Sequence, residues 1–161
     1  MNPKTLYSVF SVITCLMLLV YPVVSSDYIP KHIDINKADT AVFVALPGIG
    51  PKLAARIVKY RELLGGFYCI EQVREVYGLQ DSTFEKIKKW LVIKDSTIRK
   101  ININKADNAG MQMPYINYSL ANAIYQYRLQ HGPFENIGEL KKIMIVNDSM
   151  LLRLQHYLVV D

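Results

Sequence analysis

Residues Leu46-Pro47-Gly48-Ile49-Gly50-Pro51-Lys52 form a glycine-lined bend between two helical patterns, with a lysine just past it. Gly48 and Gly50 permit tight backbone geometry and close approach by a ligand. Pro51 suits the first turn of a helix, where its missing N–H is not needed. The amides near Gly50, Lys52 and Leu53 then fall at a helix start, where N–H groups lack internal partners. A phosphate oxygen placed there meets donors and a favourable dipole. Lys52 adds a mobile positive charge, and Arg56 lies one turn further along the same face. Ile49 is the apolar pin under the bend. The candidate phosphate-binding set is therefore Gly48, Ile49, Gly50, Lys52, Leu53 and Arg56. Phosphate contacts fix position on a duplex without reading bases, and binding of this kind weakens with salt. The same Pro-Gly-x-Gly-Pro pattern also serves as a plain helix-to-helix turn.

No residues cluster for catalysis. His32, His131 and His156 show no metal-ligand spacing with Cys69 or with the acids. Asp39 and Asp107 read as helix caps. The expectation is a protein that is not an enzyme, with no catalytic residues, no metal and no cofactor.

The elements around the bend are written twice. Asn36-Lys37-Ala38-Asp39 returns as Asn104-Lys105-Ala106-Asp107, and after a one-residue deletion Pro47 onward matches Pro114 onward at an offset of 67. Tyr60-Arg61 matches Tyr127-Arg128, and Trp90-Leu91 matches Tyr157-Leu158. Such fixed-period likeness marks a duplication. Each copy reads as helices. Asp39 or Thr40 starts a short one through Leu46, and Pro47 ends it. Leu53, Ile57, Tyr60 and Leu64 form the apolar stripe of a second, stopped by Gly65-Gly66. Ile70 to Val76 makes a third, and Asp81 or Ser82 caps a fourth. The β-branched Ile93, Thr97, Ile98, Ile101 and Ile103 favour an extended link. Units this small bury little alone, so the two are expected to lean on each other.

The other bends are poorer. Gly78-Leu79-Gln80-Asp81-Ser82 keeps one glycine but sets Asp81 where a phosphate would sit. Pro114-Tyr115-Ile116-Asn117-Tyr118-Ser119 keeps the pin Ile116 without glycines or lysine, and Ile145-Val146-Asn147-Asp148 has no glycine. All three read as structural. The second unit then becomes a candidate protein-contact surface, with Tyr115, Tyr118, Tyr125 and Tyr127 contributing; Tyr127 lies on the core stripe.

The N-terminal segment reads separately. Lys4 precedes an apolar run from Leu6 to Val20, and Val23-Val24-Ser25-Ser26 offers small residues for cleavage. This is the pattern of a secretory signal; a retained membrane anchor and a buried helix are the alternatives. Without residues 1–26 only Cys69 remains of two cysteines, so no internal disulfide can form. The net charge of +5 suits nucleic acid without requiring it.

The motifs Ile35-Asn36-Lys37-Ala38-Asp39, Leu46 to Ile57, Tyr60-Arg61, Gly65-Gly66-Phe67 and Val76-Tyr77-Gly78-Leu79 resemble the helix-hairpin-helix DNA-binding domain of the ComEA competence type. About 60 residues match well and as many again weakly. The resemblance implies an all-α fold of tandem helix-hairpin-helix units: 1–26 signal or anchor, 33–93 unit 1, 94–100 linker, and 101–160 a degenerate unit 2. It also implies a periplasmic or other extracytoplasmic protein that binds double-stranded DNA through backbone phosphates, in DNA uptake. The alternative is an envelope or secretion-system assembly protein using the units for protein contacts. Membrane contact is expected only if the N-terminal segment is retained.

Overall fold

A computed structural model describes residues 31–94 and 97–161. The anticipated signal or anchor over 1–26 lies outside the described residues. The expected extracytoplasmic, membrane-anchored location is corrected on one point. Among the described residues, no helix is long and apolar enough to cross a membrane.

The first unit opens with β1 (Ile33–Asp34), followed by helices α1 (Thr40–Val44) and α2 (Pro51–Leu64). A 3-10 turn over Ile70–Glu75 leads to α3 (Asp81–Ile87), and the chain closes with β2 (Leu91–Val92). The second unit runs β3 (Ile101–Asn102), α4 (Tyr118–His131), a 3-10 turn over Ile137–Lys142, α5 (Asp148–Leu154) and β4 (Leu158–Val159). The expected all-α fold is thus largely helical, with a two-residue parallel strand pair tying each unit's first and last segments together. Ile33 faces Leu91 in one pair and Ile101 faces Leu158 in the other.

Repeated residues do repeated work. The Asn36 carboxamide brackets the backbone of Phe67, donating to its carbonyl at 3.0 Å and accepting its N–H at 2.8 Å. Asn104 does the same to Phe134 at 2.9 and 2.8 Å. Arg61 donates to the carbonyls of Ile35 and Ala38, and Arg128 to those of Ile103 and Ala106. These arginines and asparagines hold the entry segment of each unit against its long helix.

Capping follows the sequence in part. Asp39 accepts the Val42 N–H at 2.9 Å and starts α1. Gly65, left-handed at φ +83°, ends α2. Helix α3 instead begins after Gln80, and Asp81 is its first residue. The third expected helix is a 3-10 turn. The second unit has no counterpart of α1: Asp107 accepts the Gly110 N–H at 2.7 Å, folding that stretch into turns. The deleted residue and a glycine in so short a segment account for the loss, because glycine is a poor helix former.

On α2 the buried face is Ala54, Ile57 and Leu64, with Leu53 and Tyr60 only half-buried. Phe43, Phe67 and Phe84 fill the first unit; Ile116, Ile124 and Phe134 fill the second. Burying such a side chain contributes about 1.5–3 kcal/mol. Both units share one continuous apolar core.

Candidate nucleic-acid interface

The Leu46–Lys52 bend stands at the surface. Gly48, Gly50, Pro51 and Lys52 are exposed, while Leu46 and Ile49 are buried beneath them. Gly48 sits at φ +83°, and a Cβ there would meet the Thr83 side chain at 3.1 Å. Both the backbone conformation and the crowding call for glycine. Gly50 has an ordinary extended backbone and open space where a Cβ would project. Its value is the bare approach it leaves to an incoming group.

The amides divide into two sets. Ile49 donates to the Leu46 carbonyl at 3.1 Å, and Leu53 donates to the Gly50 carbonyl at 3.0 Å. Both candidates are spent inside the turn, which corrects the expectation of a free Leu53 amide. The first turn of α2 is wound tightly enough to bond to its own cap. The amides of Gly48, Gly50 and Lys52 have no acceptor among the described residues. Arg56 is exposed, but its guanidinium donates to the Tyr77 carbonyl at 3.2 Å and lies 5.0 Å from the Tyr77 ring centroid. It links the first bend to the second.

That second bend repeats the first. Leu79 donates to Val76 at 3.0 Å as Ile49 does to Leu46, and Thr83 donates to Gln80 at 2.9 Å as Leu53 does to Gly50. Gly78 has φ +86°, and a Cβ on it would stand 2.6 Å from an Arg56 nitrogen. The two bends of unit 1 thus pack against each other's helices. Spacing alone showed the surviving Gly78-Leu79 pair but not this matched geometry. Asp81 is not left to face solvent alone, since Arg74 lies 3.4 Å from its carboxylate and also bridges to Glu85.

Unit 2 closes the corresponding positions. Asn117 stands where unit 1 has Gly50, and its side chain accepts the Leu120 N–H at 2.9 Å. Asn147 stands where unit 1 has Gln80 and accepts the Met150 N–H at 2.8 Å. Neither Gly50 nor Gln80 makes such a side-chain cap. Tyr115, in the place of Gly48, is half-buried and turns its phenol toward unit 1. Its phenol donates to Glu75 at 2.7 Å and accepts from Gln72 at 2.9 Å, both on unit 1. Tyr118 remains exposed. Burial raises the Tyr115 phenol pKa well above its ordinary value, and that of Tyr60, which donates to the same Glu75 carboxylate at 2.8 Å, likewise. Burial also raises the Cys69 thiol, keeping it in the less reactive protonated form. Among the described residues no group of three histidine, cysteine or acidic side chains could hold a metal.

Exposed glycine bends, tight helix starts and their tandem repetition define a helix-hairpin-helix architecture. Residues 30–92 and 96–159 each match the helix-hairpin-helix motif family, and the chain belongs to it. The chain is similar to endonuclease/exonuclease/phosphatase family domain-containing protein 1 of Danio rerio, at 29% identity over 150 residues covering 81% of this chain and 27% of that protein. The Homo sapiens protein of that name is 26% identical over 156 residues, covering 78% and 27%. ComE operon protein 1 of Bacillus subtilis is 37% identical over 62 residues, covering 38% of this chain and 30% of that protein. The chain thus spans little more than a quarter of the length of the relatives that match across both units. No solved structure matches. The expectation of a protein that is not an enzyme is overturned here, because those relatives are named for an endonuclease/exonuclease/phosphatase family domain.

Proposed function

We propose that this protein binds double-stranded DNA without sequence preference, through backbone phosphates at the first unit. Residues 33–93 would form the DNA-contacting unit, 94–100 the linker and 101–160 a unit that braces it. The observation that carries this reading is the exposed Gly48–Lys52 bend, with the amides of Gly48, Gly50 and Lys52 unbonded beside the lysine. Amides at a helix start, with a cation alongside, suit an anionic oxygen. The likeness across both units to proteins named for a nuclease and phosphatase domain supports a role in presenting DNA to phosphoester-cleaving chemistry. The resemblance to the ComEA type supports the choice of duplex as ligand.

The test is duplex affinity of the full chain across a salt series, for the wild type and for Gly50→Ala and Lys52→Ala. The expected result is binding that weakens with salt, a shallower salt slope for Lys52→Ala, and loss of affinity in Gly50→Ala at unchanged melting temperature. Binding insensitive to salt, or unaffected by both substitutions in folded protein, overturns the reading.

A further inference from the structure

Unit 2 begins beside an open groove of about 420 Å³, whose lining includes Arg99, Lys100, Asn102, Lys105 and Gly110. That volume is within the range of small-ligand sites. Arg99 is anchored at the junction with unit 1. Its backbone donates to the Gly65 carbonyl at 2.9 Å, and a Cβ on Gly65 would stand 2.9 Å from the Arg99 Cβ. Lys100 donates to the His156 carbonyl, a partner that leaves its charge uncancelled. The groove already holds one oxyanion. The Asp161 carboxylate accepts from the Asn102 carboxamide at 3.0 Å and lies 3.8 Å from the Lys105 ammonium. Both Lys105 and Asp161 are exposed, so this occupant is loosely seated. Asp107, beside the groove, turns its carboxylate onto the Gly110 amide at 2.7 Å. Three cations against these two acids leave the rim positive.

Unit 1 carries the opposite arrangement. The strand registers set Asp34 in the place of Asn102, and Lys94 in the place of Asp161. Both side chains do the same work in the fold. Each accepts the amide two residues on, Asp34 from Asn36 at 3.2 Å and Asn102 from Asn104 at 2.8 Å. What asparagine adds is an amide donor in place of a negative charge, and that donor is the one on the Asp161 carboxylate. We propose that this groove binds a phosphate ester, which displaces the Asp161 carboxylate from Asn102 and Lys105. A phosphate brings more acceptor oxygens than a carboxylate, and the Arg99 guanidinium is suited to meet it as a fork. The groove lies at the Gly65 end of α2 and the Gly48–Lys52 bend at the other, about 20 Å of helix away. The assignment therefore stands apart from the duplex reading.

The test is a titration of the isotope-labelled full chain with AMP, inorganic phosphate and a blunt duplex. It reads the backbone amide signals from Arg99 to Lys105 and the side-chain amide of Asn102. AMP and phosphate are expected to shift these signals at constant ionic strength, where added chloride does not. Asp161→Asn removes the internal competitor and is expected to tighten AMP about two- to fivefold. Asn102→Asp restores the acid that unit 1 tolerates in this turn, so the melting temperature should hold while AMP binding weakens about tenfold. Lys52→Ala, at the distant bend, should leave the AMP response unchanged. The duplex separates the sources. If it shifts the same signals, and Asn102→Asp makes its salt dependence shallower by about one phosphate contact, the ester belongs to a DNA backbone. An AMP response without a duplex response at these signals assigns it to a free phosphate ester. Shifts equal to those with chloride, or an AMP affinity moved by neither Asp161→Asn nor Asn102→Asp in folded protein, overturn the proposal.

Discussion

The phenol of Tyr157, in the last segment of unit 2, donates to the carbonyl of Gly66, at the end of the long helix of unit 1, over 3.0 Å. The same oxygen accepts from the Gln72 carboxamide at 2.6 Å. Tyr157 is fully buried and sits where unit 1 has the half-buried Trp90. The two units are therefore joined by a satisfied polar contact inside apolar surroundings. Burial pushes the Tyr157 phenol up to about 12.

That shift gives alkaline stability a defined sign. An unfolded tyrosine titrates near ~10, so between ~10 and the raised native value the folded state holds more protons. Stability is whole below pH ~10 and falls as pH rises toward 12, by about 2–3 kcal/mol for Tyr157. Denaturant melts at several pH values check this. Tyr157→Phe should flatten that slope while costing about 1–3 kcal/mol near neutrality, because it strands the Gly66 carbonyl.

Gln72 is 2% exposed and uses its whole carboxamide. Its oxygen accepts from the amides of Tyr68 and Cys69, at 2.7 and 3.3 Å, and its nitrogen donates to Tyr115 and Tyr157. Gln72→Leu should cost about 2–4 kcal/mol through stranded amides and phenols. Chemical denaturation measures it, and a loss under ~0.5 kcal/mol would show that the junction tolerates an apolar plug.

Gly48 and Gly50 should separate in experiment. Gly48→Ala forces an alanine to φ +83° against Thr83 and should lower stability by about 1–2 kcal/mol. Gly50→Ala meets nothing and should leave the melting temperature within about 2 °C, while a methyl group now stands on the exposed bend and weakens DNA binding. Paired melting and binding curves decide.

Asn117→Ala should destabilise the chain by about 1 kcal/mol, the ordinary worth of a helix cap. Asn117→Asp should restore stability because it still accepts the Leu120 amide. Thermal melts of the two variants distinguish capping from any other role for this residue.

The duplication, the left-handed stop at Gly65 and the pin at Ile49 were legible in sequence, because each follows from a local pattern with a single geometric solution. The fate of Leu53 was not, since a helix start can leave an amide free or wind it onto its own cap, and spacing is the same in both. The contacts of the Tyr115 phenol with unit 1 were not legible for a similar reason. An aromatic in a bend has no periodicity to mark it as inward, and its partners Gln72 and Glu75 are some forty residues away. Arg61 and Arg128 read only as repeated letters until the carbonyls they clamp were in place.

The parallel pairing of Ile33 with Leu91, and of Ile101 with Leu158, brings the way in and the way out of each unit side by side. A module whose ends meet can be copied into a chain without rerouting what lies on either side. Lineages using this architecture can therefore lengthen by whole beads, leaving one free to drift toward a new ligand while its neighbour keeps the old one.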